Sequence, residues 1–269
     1  MKKIFKKMPT VIIMLSLVIS ISACTTNSDS QKKSTSFAEK NYAIDAKKIE
    51  QISLSAKGRT VEVIESTDKK IHIKYFENDK EFYEVHVTNK NELAMKLVTN
   101  KNWKDYVGLN TEKAHRIVQL AVPNGISSGI KIRTSKGNIT LSDVNLDGAV
   151  EAITSNGMIE ITDTKVNKHL KLETKNDDLV LSGVSAKNSI DATSSNGDIQ
   201  VKKVAVEDAL KLTTKNGDIT GTIIGSYDAF SISSNASKGK NNLPENKKNG
   251  DTNLNVTTNN GDIHLELVE

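Results

Sequence analysis

From Ile130 onward, apolar and polar residues alternate inside short segments, and the segments recur. TSKGNITL (134–141), TSNGMIEI (154–161), TKNDDLVL (174–181), SSNGDIQV (194–201) and TKNGDITG (214–221) each begin twenty residues after the one before. A further copy, TNNGDIHL, begins at Thr258, 44 residues after Thr214, and the intervening copy at Ser234 lacks the turn. The apolar columns keep register. One reads Ile130, Val150, Leu170, Ile190, Leu210, Phe230, Leu254, with Ile132, Ala152, Leu172, Ala192, Leu212, Ile232, Val256 two residues on. After the turn come Ile139, Ile159, Leu179, Ile199, Ile219, Ile263, then Leu141, Ile161, Leu181, Val201, Leu265. A last column holds Val144, Thr164, Val184, Val204 and Ile224. Spacing of two puts these side chains on one face of a strand, and no 3.6-residue stripe is sustained.

Asn-Gly recurs between the two strands of a repeat, at Asn156-Gly157, Asn196-Gly197, Asn216-Gly217 and Asn260-Gly261. Both residues tolerate positive φ, so each pair predicts a tight corner. A second corner is expected near the Asp-Val or Gly-Val pairs that follow. A string of antiparallel hairpins and a β-solenoid both use such a repeat. The constant period selects the solenoid, because a coil that hydrogen-bonds in register to its neighbours changes length only by bulging outward. The fold class is therefore all-β, a single-chain β-solenoid with coils of about 20 residues. Seven coils give a rod of roughly 34 Å. Ser or Thr at 134, 154, 174, 194, 214, 234 and 258, and Asn at 156, 176, 196, 216 and 260, are expected to stack as hydroxyl and amide ladders, each bonding its copy in the next coil. The polar run 235–252, beside the irregular copy, reads as a disordered bulge.

Before the repeats, strands are expected at Ile49–Leu54, Thr60–Ile64, Ile71–Phe76, Phe82–Val87, Leu93–Val98 and Ile117–Val122, with a turn at Pro123-Asn124-Gly125. Residues 42–125 thus form an irregular N-terminal β cap, or irregular coils of the same solenoid, and 126–269 the regular repeats. At the other end the last strand, His264–Val268, is an open edge, either available for edge-to-edge self-association or kept solvated and unpaired by Glu266 and Glu269.

The first residues are an address. Lys2, Lys3, Lys6 and Lys7 precede an apolar run, Val11 to Ile21, too short to span a bilayer. Ile21-Ser22-Ala23-Cys24 resembles the lipobox of bacterial lipoproteins, which implies a signal peptide over 1–23 and lipidation of Cys24, the only cysteine. Residues 24–41 are read as lipidated Cys and polar tether. Removal of 1–23 leaves 37 − 4 = 33 basic residues against 33 acidic ones. That balance argues against nucleic acid as a partner.

Candidate chemistry is sparse. The five His have no helical ligand spacing, and there is no Gly-rich phosphate loop and no Gly-x-Ser-x-Gly elbow. Asp178, Asp198 and Asp218 occupy one column and offer oxygen ligands to calcium, though repeated Asp beside a turn is also simply a solvated acid. Trp103 and Tyr106, in the long run 99–116, are candidate binding residues or a plug for the end of the rod. No catalytic residue and no cofactor are indicated.

The repeated Ser/Thr-x-Asn-Gly-Asp-Ile phrase, clearest at Ser194–Ile199 and Thr214–Ile219, together with a strand lead-in and a Val-Pro turn, resembles the putative-adhesin, or toast-rack, family of bacterial β-solenoids over residues 49–269. The chain departs from that pattern at Asp177, where Gly is expected, and across 235–252. The resemblance implies a non-enzymatic cell-envelope protein. The first functional reading is an adhesin-like surface protein, lipid-anchored on the extracytoplasmic face of the bacterial membrane, that contacts envelope or surface proteins or polysaccharide. The alternative is a sensory or regulatory partner of an envelope-stress system, and the third reading is a polysaccharide-acting enzyme.

Overall fold

The computed structural model describes residues 36–100 and 113–269. They form strands joined by tight turns, with one-turn 3-10 segments at Ala46–Lys48, Lys113–Arg116 and Tyr227–Ala229. One regular coil runs Val150–Ile153, corner, Ile159–Thr162, corner, Lys165–Val166, and then enters the next coil at Leu170–Glu173. Equal positions of adjacent coils pair in parallel. Val150 partners Ile130 and Leu170, and Ile199 partners Leu179 and Ile219. Two long sheets face each other across a core of stacked Ile, Leu and Val, and the two-residue strands line a third, narrow side. The expected β-solenoid is therefore present, with a third short strand in each regular coil.

The corners invert the expected role of glycine. None of Gly157, Gly197, Gly217 and Gly261 has positive φ. They are glycines because the coils touch there. A Cβ on Gly217 would lie 2.2 Å from the carbonyl oxygen of Gly197, and one on Gly261 2.0 Å from that of Gly217. Positive φ falls instead at the second corner, on Asp143 (55°), Asp163 (44°), Gly183 (64°) and Lys203 (53°), again twenty residues apart. Three of those four are not glycine, so each carries the cost of a left-handed L-residue, about 1–2 kcal/mol.

The hydroxyl column also bonds differently from expectation. Thr154, Thr174, Ser194 and Thr214 donate to the corner carbonyls of Gly137, Gly157, Asp177 and Gly197, not to one another. Asp177, which breaks the glycine pattern, still accepts this bond, and the pairing of Leu179 with its neighbours is unbroken.

At the N-terminal end the regular stack continues further than the repeats suggest. Gln51–Ser55 pairs with Gly129–Arg133, and Thr60–Glu65 with Ile139–Ser142, both in parallel, so residues 49–65 are a true coil. Outside it lie Glu92–Thr99 and Ile117–Val122, also parallel. Antiparallel strands Glu81–Val87, Lys70–Glu77 and Ala38–Asp45 then close that end. The chain thus moves outward from its first coil and returns past it to begin the next. Ala38–Asp45 is strand, so the fold begins within the stretch assigned to the tether.

The C-terminal end repeats the manoeuvre. Thr252–Thr258 pairs directly with Ala209–Thr213, and Ile263–Val268 with Ile219–Ile224. Phe230–Ala236 lies beyond, on the far side of Thr252–Thr258. The interval of 44 residues is therefore one step in space. Three expectations are corrected here. Ile232, not Phe230, is the partner of Leu254. Ile223 takes the core position opposite Val204, and Ile224 is 43% exposed, because that coil is one residue short. The insertion is an ordered cap. Asn241 bridges to Ile263, the Asn242 side chain donates to and accepts from the Leu265 backbone, and Asn246–Lys247 pairs antiparallel with Ile232–Ser233. The outer edge of Ile263–Leu265, expected to be open, is covered by this segment.

The close approach of the corners predicts that Gly217→Ala destabilises the rod by roughly 1–3 kcal/mol through overpacking against immovable backbone. Gly58→Ala has open space around its Cβ but a φ of 73°, and is expected to cost only about 1–2 kcal/mol of backbone strain. Urea denaturation of the two variants, with Gly217→Ala no more harmful than Gly58→Ala, would contradict the contact explanation.

Candidate interaction surfaces

Cys24, Trp103 and Tyr106 lie outside the described residues. The remaining sequence candidates, Asp178, Asp198 and Asp218, do stack along one corner. Each carboxylate has a structural partner: Asp178 Oδ1 accepts from the Asp198 backbone N–H at 2.8 Å, Asp198 Oδ1 from that of Asp218 at 2.9 Å, and Asp218 Oδ1 from that of Asp262 at 2.8 Å. The column is a staircase of side-chain caps on corner amides that face no carbonyl. Among the described residues no three His, Cys, Asp or Glu side chains are gathered to hold a metal ion.

Beside it runs the amide ladder. Asn176 donates to Asn156, Asn196 to Asn176 and Asn216 to Asn196, each at 2.7 Å, and Asn260, in the coil that lies directly against 209–224, continues the ladder by donating to Asn216. Asn156 and Asn196 also donate to backbone carbonyls, those of Ser135 and Lys175. An amide donates through its NH2 and accepts through its carbonyl oxygen on opposite sides, which makes Asn suited to an unbroken column.

The two broad faces differ. On one, the outward column reads Lys131, Glu151, Lys171, Asp191, Lys211, with signs alternating at every rung. Glu151 sits 2.8 Å from Lys131 and 2.7 Å from Arg133, and Asp191 3.5 Å from Lys211. Partial burial pushes the Glu151 carboxyl up, but Lys131, Arg133 and Lys171 together hold it below the ordinary carboxylate range. Like charges on directly opposed strands repel, so alternation is the arrangement a parallel stack requires. This pattern was legible at a spacing of twenty but is masked within each repeat by the apolar columns. The opposite face carries Thr140, Glu160, Val180, Gln200, Thr220 and His264 in the corresponding column and is mostly uncharged.

The N-terminal end holds the polar groups that sequence reasoning missed. Arg59 and Glu81 are 2% and 5% exposed, and their side chains approach to 2.9 Å. Tyr83 packs edge-on against Tyr75, with centroids 5.0 Å apart. Burial pushes the Tyr83 hydroxyl up to about 12, although the Arg59 guanidinium beside it works in the opposite direction. An open groove of about 440 Å³ passes Lys40, Asn78, Asp79, Phe82 and Tyr83, and a smaller one of about 280 Å³ lies between Arg116 and Lys136. Phe37 and Phe76 bracket His115, at centroid distances of 5.3 and 5.2 Å, where the chain enters the fold. Nothing in a 20-residue period marks these residues. Their pairing depends on the outward and returning path of residues 49–122.

Two measurements check this description. Asn196→Ala removes two ladder bonds and one backbone bond, and is expected to lower stability by about 1–2 kcal/mol despite the side chain's exposure; an unchanged unfolding midpoint would mean that the ladder contributes nothing. Glu151→Gln is expected to cost roughly 0.5 kcal/mol at pH 7. Because the native carboxyl titrates below its unfolded value, this stabilisation is present above that value and fades as the pH falls through the native one. Wild type and variant should therefore converge once the carboxyl is protonated in both native and unfolded states; a difference that persists in such acid would assign the effect to shape, not charge.

Comparison with known proteins places these features in a lineage. No match was found among curated proteins. A solved structure from Clostridium sporogenes, described as a "putative cell adhesion protein", is 14% identical, with a TM-score of 0.41 over 86% of this chain and 100% of its own. Another from Bacteroides fragilis, described as a "putative adhesin", is 15% identical, with a TM-score of 0.47 over 87% of this chain and 98% of its own. The family described as Toastrack DUF4097 matches residues 49–267, which span every coil of the stack. The chain is a member of that toast-rack family.

Proposed function

We propose that this protein is a non-enzymatic, lipid-anchored rod of the bacterial cell surface that acts in attachment or in contacts with other envelope proteins. The observation that carries the reading is the placement of the two ends. The chain enters through Ala38–Asp45, the outermost strand at one end of its sheet, while the 237–249 cap closes the other end. A tether running from Cys24 to Ser36 is at most about 40 Å long. On this reading the entry end is the one joined to the anchor, and the capped end is the one free to meet a partner. Along the sheet that contains Glu92–Thr99 and Phe230–Ala236, nine parallel strands follow one another, or eight spacings. That is a reach of about 38 Å. A stack hydrogen-bonded at every rung resists bending, so it suits the display of fixed faces. The third reading, action on polysaccharide, would need acids free to move protons along the stack, whereas the Asp column is engaged with backbone amides.

The test is made on intact cells. The wild-type protein is expected in the membrane fraction and accessible to added protease, while Cys24→Ala is expected in the medium or soluble fraction. Crosslinking from the mostly uncharged face, for example through Gln200→Cys, should then recover surface material. Equal fractionation of wild type and Cys24→Ala would end the anchoring reading. Recovery of only a membrane signalling protein would replace attachment with the sensory reading.

A further inference from the structure

The strands at the N-terminal end leave that end stepped. Beyond coil 49–65, one sheet adds Ile117–Val122, Lys70–Glu77 and Ala38–Asp45, whereas the facing sheet adds only Glu92–Thr99 and Glu81–Val87. The Tyr75–Tyr83 contact marks the last level at which the two sheets face each other. Ala38–Asp45 therefore overhangs Glu81–Val87 by one strand. Its core-side residues Tyr42 and Ile44 have no strand opposite them among the described residues, and Val87, beside the step, is 38% exposed. The groove of about 440 Å³ between Lys40 and Tyr83 is the mouth of this step.

Both edges of the step carry free backbone groups. Thr88 donates its N–H to Glu92, and Lys80 accepts from Asn100. Even-numbered residues of Glu81–Val87 thus bond the neighbouring strand Glu92–Thr99, and odd-numbered ones point away from it. Of the latter, Glu81 is engaged by Asn78 and the Tyr83 N–H by Glu77, while the N–H and C=O of Val85 and Val87 meet no partner among the described residues. In Ala38–Asp45, the bond from the Ala46 N–H to Lys69 sets odd-numbered residues away from the sheet in the same manner. The two strands also run in the same sense. Ala38–Asp45 is related to Thr60–Glu65 by two antiparallel pairings and one parallel one, so it shares that direction. Glu81–Val87 opposes Gln51–Ser55, and the corner at 56–59 turns Gln51–Ser55 back into Thr60–Glu65.

We propose that the step is a self-association site: two copies meet end to end about a two-fold axis lying along the strands, and Ala38–Asp45 of each adds to Glu81–Val87 of the other. Overhang then fits recess on both sides of the axis, which is the self-complementarity a two-fold interface requires. One parallel register, with Ala43 of one copy level with His86 of the other, satisfies every free group of Val85 and Val87. The Ala43 N–H donates to the Val85 carbonyl, and the Ala43 carbonyl accepts from the Val87 N–H. The Asn41 carbonyl takes the Val85 N–H, and the Asp45 N–H reaches the Val87 carbonyl. The same register sets Tyr42 beside Val85, Ile44 beside Val87 and Asn41 beside Glu84, so apolar groups meet and like charges do not. The charges that ordinarily guard an edge are engaged within the chain, Glu39 by Lys74 at 2.9 Å and Lys40 by Glu77 at 3.8 Å. An antiparallel meeting of two overhanging strands would leave both recessed edges unpaired.

This association does not rest on the attachment reading, and it is tested on the full chain in a Cys24→Ser background. Ala43 and His86 are both exposed and lie on opposite sheets, so thiols placed there do not meet within one chain. Across the proposed junction Ala43→Cys and His86→Cys come to adjacent strands, about 4.8 Å apart, within the Cα separation a disulfide accepts. Oxidation should give a covalent dimer from the double variant and none from either single variant, because the axis brings each residue to the other and not to its own counterpart. In sedimentation equilibrium the wild-type chain should dimerise. Ala43→Pro removes an N–H that points away from the sheet and no bond within the chain, and should weaken the dimer roughly tenfold or more. A covalent dimer from Ala43→Cys alone would mean antiparallel pairing and would overturn the proposal. So would a double variant that never crosslinks, an Ala43→Pro dimer as tight as wild type, or a wild-type chain that stays monomeric to about 0.5 mM.

Discussion

The structure depends on congruent backbone stacking at about 4.8 Å, the spacing set by the hydrogen bond between parallel strands. Once one coil lies on another in register, every choice becomes a choice for a column. At five of the tight corners the backbones meet so closely that a Cβ has no volume to occupy, which explains Gly137, Gly157, Gly197, Gly217 and Gly261 better than conformational freedom does, while the corner at Asp177 carries a side chain. Beside them, the residue must present a hydroxyl to the carbonyl below, an amide to its own copy, or a carboxylate to the amide above. The same spacing forbids columns of one charge on the broad face, and the alternation from Lys131 to Lys211 follows. These are consequences of one distance.

A stack of this kind has two ends, and an unpaired parallel edge invites association with any passing strand. Both ends solve the problem by breaking sequential order. At the N-terminus, coil 49–65 lies between 129–142 and the later strands 92–99 and 117–122; at the C-terminus, coil 252–268 lies between 209–224 and the earlier outer coil. In each case aperiodic material closes the end, antiparallel strands at the N-terminal end and the 230–247 coil at the C-terminal end, and the chain returns beneath it. The terminal coils thus become interior coils, and the outer edge of the last strand passes to residues such as Asn241, whose backbone bridges Ile263, and Asn242, whose side-chain amide caps the Leu265 backbone. The cost is contact between segments far apart in sequence, which slows closure of each end relative to the local stacking of the middle.

That arrangement also determines how much could be read in advance. Columns from Ile130 to Ile219 were legible because each coil obeys the same period, and their pairing was recovered residue for residue. Phe230 was misplaced because the reading assumed that chain order equals stack order. Ile224 was misplaced because a one-residue deletion, absorbed by Gly221 at φ 127° and Gly225 at φ 140°, leaves no mark in composition. The insertion looked disordered for its Lys, Asn and Pro content, whereas those polar side chains serve as edge partners. The Arg59–Glu81 pair was invisible for a different reason: burying two charges is defensible only where they meet, and their meeting depends on the course of residues 60–80, which no local pattern encodes.

The same constraint bears on what such a fold can do. Catalysis asks for groups of different kinds converging on one point, with at least one left free to exchange a proton. A stack offers the opposite, similar groups spread along lines and each satisfied by its neighbour. Variety arises only where the period fails: at the N-terminal end, where Arg59, Glu81, Tyr75 and Tyr83 gather, and at the C-terminal cap, where Tyr227 lies under the Lys247 ammonium at 4.8 Å. The regular middle is therefore uniform along its length, and among the described residues chemical variety falls to its aperiodic ends and to the mostly uncharged face, whose outward side chains can vary without disturbing the columns inside.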